Sequence, residues 1–347
     1  MPSASNNALT GNLAVLVDAP GQLRLAELPI PLPGPGEVGV RVRYVALCGS
    51  DKKLFEGSYK APHKYPVVIG HEWVGTIESL GEGCTESWAL GDVVTGDCSL
   101  YCGGCHYCGT NRNHCTTVEK RGITVDGACA QHIVLNARHI YRCPKDSDPL
   151  PFVLSEPLAV SVHAICNRFT SEELKRVRKA LVIGAGGIGT LALFTLAEFS
   201  IPEITLVDLA GEKLAVANSL GFPNVRTAVS DLSDLANDSF DLILEASGSG
   251  AALARALELA APCAKLVCIG HQGKLELDFG LVMKKSLTIS ASMGSTGGFE
   301  KAIQAIARHH VAVSRIITRV VPITGVEHHF RENLGCNSDL KVLIDLS

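Results

Sequence analysis

The stretch KALVIGAGGIGTLALFTLAEF (179–199) constrains this chain more than any other. Ala180 to Ala197 holds no charged residue for 18 positions, long enough for a membrane span, but glycines at 184, 186, 187 and 189 break it into strand, turn and helix. Gly184, Gly186 and Gly189 fit G-x-G-x-x-G, and Asp208 follows 19 residues after the last glycine, at the end of the next apolar strand. Gly184 allows the tight turn, Gly186 a close backbone approach to a pyrophosphate, and Gly189 close packing of helix on sheet. Gly187 and Ile188 open the helix, whose N-terminus offers unpaired N–H groups and a positive dipole end to phosphates. Asp208 would accept from ribose hydroxyls and repel a 2′-phosphate. Leu209 and Ala210 supply no arginine to welcome one. The expected ligand is NAD rather than NADP.

Around this loop strands and helices alternate: EITLVDL (203–209), GEKLAVANSL (211–220), DLILEAS (241–247), AALARALELA (251–260) and KLVCIG (265–270). Continuous apolar strands with helical crossovers mean a parallel sheet covered on both faces. The first 150 or so residues read instead as β-rich, with runs such as Glu37–Val45 and Val67–Ile69 between Gly/Pro turns. Beyond about residue 290 the pattern turns irregular until LKVLIDL (340–346), and KRVRK (175–179) reads as a solvated helical face. The 347 residues allow two domains, and 46% apolar residues are enough for two cores. A net charge of −4 with no basic patch argues against a nucleic-acid or membrane partner.

Cys102, Cys105, Cys108 and Cys115 place four soft ligands within 14 residues of loop. Thiolates so spaced close around one tetrahedral ion, with zinc the default, and leave no open position, which makes the site structural. Cys98 is a more distant competitor, while His106 and His114 read as solvated. Thirteen cysteines, an odd count, and an N-terminus (MPSASNNALTGNL) without an apolar run suit a reducing, cytoplasmic setting better than a disulfide framework. A second constellation is dispersed: Cys48 in LCGSD, His71 and Glu72 in IGHEWVG, and Glu156 in SEPLA. One thiolate, one imidazole and a carboxylate leave a fourth position for water or substrate, the open geometry of a catalytic zinc.

These motifs together with PGPGE (33–37), LGDVV (90–94), GACA (127–130) and EPLAV (156–160) resemble the zinc-dependent medium-chain alcohol dehydrogenases nearly end to end. The resemblance implies an α/β chain: a GroES-like β-rich catalytic domain with its zinc lobe (1–157), a Rossmann doubly wound parallel-sheet domain (158–291) and a return to the catalytic domain (292–347). It implies that Cys48 and His71 hold the catalytic zinc. Glu156 takes the third ligand place, and Glu72 either coordinates directly or exchanges with it. CGSD and GHEW resemble the branch acting on polyols, sugars and threonine. ASMGSTGGFEKAI (291–303) and DGACA (126–130) are similar to dehydrogenases of aminocyclitol biosynthesis, such as the 2-deoxy-scyllo-inosamine dehydrogenases.

The expected reaction is hydride transfer between a secondary alcohol of a polyol, amino-polyol or cyclitol and NAD. Zinc would acidify the alcohol, on the scale by which bound water drops from about 15.7 to about 7. Ser50 would be the first proton carrier and Asp51 structural, while Trp73 and His163 near the cleft read as packing. Two departures stand out: six residues separate Cys108 and Cys115 where the family usually has seven, and Lys53 replaces the relay histidine five positions after Cys48. The missing histidine keeps a non-redox elimination or cyclisation on the same fold as an alternative, beside a threonine or simple-alcohol dehydrogenase. By analogy, strands 265–270 and 286–291 form the edge through which a homodimer or homotetramer would assemble.

Overall fold

In a computed structural model, residues 11–270, 273–333, 336 and 339–347 are described. The N-terminal decapeptide, on which most of the leader argument rests, lies outside them. The glycine-loop region folds as its pattern demands. Six parallel strands lie in the order Val225–Val229, Glu203–Asp208, Lys179–Ile183, Phe240–Glu245, Ala260–Cys268 and Thr288–Ala291. Numbered along the chain this is 3-2-1-4-5-6, the doubly wound order whose switch point beside the first strand leaves a crevice for a dinucleotide. Helices Gly187–Ala197, Gly211–Ser219 and Gly250–Leu259 make the crossovers.

The strand Val225–Val229 was absent from the sequence pattern. It is the sheet edge, with no fully buried residue, so it carries no continuous apolar run. A second absence is the 16-residue helix Phe299–Ser314, inside the stretch expected to be irregular. Its Phe299, Ala302, Ile303 and Ile306 recur at helical spacing and are buried, so the signal was present but polar neighbours diluted it. KRVRK straddles a boundary rather than forming one helical face: the helix Ser171–Lys175 ends in it, and Lys179 starts a strand. Its four basic side chains are solvent-facing, as expected.

The N-terminal half builds a seven-stranded sheet. Ile140–Arg142, Val93–Gly96, Glu72–Leu80, Glu37–Ala46, Lys341–Asp345 and Ile317–Pro322 lie in that order, and His132–Asn136 also pairs with Glu37–Ala46. The chain therefore leaves this sheet after residue 142, completes the parallel sheet between 179 and 291, and returns at 317. One apolar core spans the junction, bringing Ala46, Val74 and Phe152 together with Leu191, Leu193 and Phe299. The helix Ser155–Cys166 and the segment 292–298 carry the two passages between the sheets.

Candidate active site

Cys48 lies at the N-cap of the helix Gly49–Glu56. Asp51, at the third helical position, fixes it there: its Oδ2 accepts from Cys48 N at 2.8 Å and its Oδ1 from Gly70 N at 3.1 Å. Asp51 is fully buried and lies 3.9 Å from His71 Nδ1, so one carboxylate pins both ligand-bearing turns and faces the back of the imidazole. That is the structural duty expected of it. Gly70 adopts φ 91°, turning the chain into His71 and Glu72 at the start of their strand. Cys48 Sγ, a ring nitrogen of His71 and a carboxylate oxygen of Glu72 all lie within 4.8 Å of one another. Ser50 Oγ is 3.5 Å from His71 Nε2, which places it beside the cluster.

The electrostatics are those of a donor set gathered in low dielectric. Burial opposes the Cys48 thiolate, but the charge and hydrogen bond of His71, then Lys341, overcome it and bring the thiol down to about 6. Burial likewise opposes the His71 imidazolium, and the thiols of Cys98 and Cys48 reverse that, lifting it well above its usual range. Glu72 is raised by burial first, with Lys341 pulling the other way. A thiol inclined to ionise beside an imidazole and a carboxylate is the donor chemistry of a divalent soft cation such as zinc.

Lys341 was not singled out in the sequence, and it is the largest addition to the site. Its Nζ donates to both Glu72 oxygens, at 2.6 and 2.5 Å, with both side chains buried. Burial opposes its charge, but the Glu72 carboxylate more than offsets this and holds the ammonium protonated. The residue lies 269 positions from Glu72, so no local pattern could pair them. Its stem also fills the space over Gly187, where a Cβ would meet Lys341 Cε at 2.7 Å. The strand that closes the catalytic sheet thus touches the nucleotide loop.

Glu156 sits in the first turn of the helix Ser155–Cys166, buried, and outside the trio of converging ligand atoms. Its carboxyl is close enough to oppose ionisation of Glu72 and of Asp97. Lys53 is solvent-exposed. Trp73 is wholly buried, and His163 packs between Asn167 and Asn113.

Ligand atoms of Cys102, Cys105, Cys108 and Cys115 also lie within 4.8 Å of one another, so the shorter final spacing does not displace Cys115. The Cys102 N–H donates to Cys115 Sγ at 3.3 Å and the Gly104 N–H to Cys102 Sγ at 3.4 Å. The backbone N–H groups of Thr116 and Cys108 lower the Cys105 thiol to about 5. Only Tyr101, Cys108 and Cys115 form a buried cluster in this lobe, too little apolar surface to hold 14 residues of loop by packing alone. Cys98 is buried apart from the four, and His106 and His114 are exposed.

At the crevice beside the first parallel strand, a cavity of about 560 Å³ is lined by Gly184, Gly186, Asp208, Lys213, Ser230 and Ser247 among others. Gly187, Ile188 and Gly189 form the first turn of the helix above it. Asp208 Oδ2 accepts from Ala185 N at 2.7 Å and Oδ1 from Ala210 N at 2.9 Å. The acidic residue therefore props the glycine loop as well as facing the cavity. Lys213 is a further addition, placed by the helix that follows Asp208.

Comparison with known proteins agrees with this architecture. Residues 34–145 match the alcohol dehydrogenase GroES-like domain and residues 152–346 the glucose dehydrogenase C-terminus. The L-threonine 3-dehydrogenase of Deinococcus radiodurans is 28% identical over 79% of this chain and 81% of its own length. Galactitol-1-phosphate dehydrogenase from Escherichia coli superposes with a TM-score of 0.83 at 26% identity, covering 96% of this chain and all of its own. An alcohol dehydrogenase (rspB) from E. coli CFT073, solved with NADH, gives 0.85 at 26% identity over 97% of this chain and 100% of its own. The chain belongs to the zinc-type medium-chain alcohol and polyol dehydrogenases: an oxidoreductase with a GroES-like catalytic fold, a Rossmann fold, and zinc and nicotinamide dinucleotide as cofactors.

Proposed function

We propose that this enzyme oxidises a secondary alcohol of a polyol, amino-polyol or cyclitol, with NAD as the acceptor, in a cleft between domains 1–157, 158–291 and the returning 292–347. The observation that carries it is the convergence of Cys48, His71 and Glu72 within 4.8 Å, with Lys341 bridging from Glu72 to the nucleotide loop. Zinc held by Cys48, His71 and Glu72 or Glu156 supplies a Lewis acid that lowers the pKa of a bound alcohol. Bound NAD supplies the carbon that receives the hydride. Around these, Asp51 orients His71, and Ser50 carries the alcohol proton away from the cluster. Lys341 neutralises Glu72 and keeps that carboxylate from repelling an ionising substrate. Asp208 selects a free adenosine ribose over a 2′-phosphate. Cys102, Cys105, Cys108 and Cys115 hold a second, structural zinc. Thirteen cysteines, an odd count, suit a reducing compartment better than a disulfide framework, and among the described residues no helix is long and apolar enough to cross a membrane. Assembly as a homodimer or homotetramer, through the edge strand Thr288–Ala291, completes the reading.

The test is NAD reduction at alkaline pH against simple alcohols, sorbitol, xylitol, threonine, myo-inositol and an amino-cyclitol. Turnover confined to a hydroxyl-rich class is the expected result. Turnover of threonine or simple alcohols alone sinks the polyol assignment. Silence across the panel, with zinc and NAD shown bound, favours the non-redox alternative.

A further inference from the structure

Asn113, a residue of the cysteine lobe between Cys108 and Cys115, carries side-chain hydrogen bonds to a residue 183 positions away. It is 2% exposed. Its Oδ1 accepts from the Thr296 N–H at 3.3 Å and its Nδ2 donates to the Thr296 carbonyl at 3.4 Å. The side-chain amide thus pairs with both backbone groups of one residue, as a neighbouring strand would. Oδ1 also accepts from Ser99 Oγ at 3.2 Å, at the base of the lobe, and Nδ2 donates to Asn111 Oδ1 at 3.0 Å. His163 joins from the other side. Its Nδ1 accepts from Asn167 Nδ2 at 2.8 Å, which assigns the proton to Nε2, directed at the Thr296 carbonyl. Nε2 lies 3.5 Å from Asn113 Nδ2.

The placement of these partners matters more than their number. Thr296 belongs to the segment 292–298 and His163 to the helix Ser155–Cys166, the two passages between the catalytic and parallel sheets. Any change in the angle between the sheets must be taken up there. His163 lies seven residues after Glu156, two helical turns on and on the same face. The helix face that presents Glu156 to the ligand cluster is therefore held, two turns down, by the contact that ends in the lobe. Gly294 confirms how close the grip is: it has φ +85°, and a Cβ there would sit 2.0 Å from Asn113 Oδ1. Gly298 is equally tight on the helix, its Cβ position 2.3 Å from the Ala159 carbonyl oxygen.

We propose that Asn113 is a positioning residue that ties the cysteine lobe to both interdomain passages, so that metal in the lobe sets the geometry of the catalytic cleft. The lobe is then more than a local clamp. Closing four thiolates on an ion fixes the 108–115 turn, that turn fixes Asn113, and Asn113 fixes Thr296 and, through it, the helix bearing Glu156. Such coupling is reciprocal: a change at the passages must be felt in the lobe.

Hydrogen exchange read by mass spectrometry tests this without a known substrate. In Asn113→Ala, and in Cys105→Ser where the lobe loses a ligand, exchange should rise at least tenfold in both 155–166 and 292–298. The strand Glu203–Asp208, remote from the hub, should not change. In the reverse direction Gly294→Ala, which leaves every cysteine in place, should raise exchange across 102–115. Acceleration confined to the lobe in the first two variants overturns the proposal, as does a silent lobe in the third. Should one variant fail to fold, the other direction still decides. On whichever alcohol is turned over, Asn113→Ala should lower kcat about tenfold while the KM for NAD stays within twofold. A lower melting temperature with unchanged kcat marks a merely structural asparagine.

Discussion

Asp97 shows how far one buried carboxylate can influence the chain. It follows the strand Val93–Gly96 and is 1% exposed. Oδ1 accepts from Ser99 N at 3.0 Å, while Oδ2 has no partner. Burial pushes its pKa up to about 6, against the Ser99 N–H and the nearby Thr296 hydroxyl. An unfolded aspartate titrates near about 3.9, so between the two values the folded chain holds more protons than the unfolded one. Stability contributed by this group is therefore present below about pH 4 and lost as pH rises to about 6, up to about 3 kcal/mol at about 1.4 kcal/mol per unit. Asp97→Asn should flatten that fall, seen as urea midpoints for the two proteins that agree at pH 4 and separate by pH 7, where the variant is the more stable. Parallel midpoints for the two proteins would mean that Asp97 finds its missing donor in solution. Such a residue is invisible in sequence, since GDC in a loop states nothing about burial. Lys341 was hidden for a related reason: its meaning lies wholly in a partner 269 residues away.

At the scale of elements, legibility followed periodicity. The glycine loop and its flanking strand and helix were readable because glycine spacing, apolar runs and the distance to Asp208 all constrain the same turn. The four cysteines were readable because their ligands are local in sequence. The edge strand Val225–Val229 and the helix Phe299–Ser314 were not, because half-exposed elements mix polar and apolar residues. Within the readable loop Gly189 is the least replaceable position. A Cβ there would lie 1.9 Å from the Gly184 carbonyl oxygen, backbone against backbone in both residues. Gly189→Ala must push the helix Gly187–Ala197 off the first strand, which spoils the N–H cradle. We expect NAD affinity to fall at least about tenfold, about 1.4 kcal/mol, by titration calorimetry. By contrast Gly186, with nothing within 4 Å of its Cβ position, should tolerate alanine in the absence of nucleotide. Equal affinity for Gly189→Ala and the parent chain would remove the loop from the binding site.

For the whole molecule the two ligand sets differ in how they depend on the fold. Cys102 to Cys115 form one local loop, whereas Cys48, His71 and Glu72 come together only when the helix Gly49–Glu56 is packed against the turn into the strand Glu72–Leu80, with the helix Ser155–Cys166 bringing Glu156 alongside. A local thiolate set keeps much of its affinity in an unfolded chain, and a dispersed one does not. Two zinc ions per chain are therefore expected in the native protein. In urea, a chromophoric chelator should capture one along with unfolding and the second only slowly. Release of both in a single step would show that the lobe, too, depends on the folded frame.

The strand Lys341–Asp345 has a consequence for biosynthesis. It is inserted between Glu37–Ala46 and Ile317–Pro322, far along the chain from most of the sheet it joins. A ribosome delivers every strand of the parallel sheet, the last at 288–291, before it delivers this one. The nucleotide-binding half can then fold during translation, while the first half waits with an open gap beside Glu37–Ala46 and Glu72 without its ammonium partner. That waiting edge, rather than the larger parallel sheet, is where a nascent chain is most exposed to chaperones, to proteases and to pairing with a neighbour on the same message.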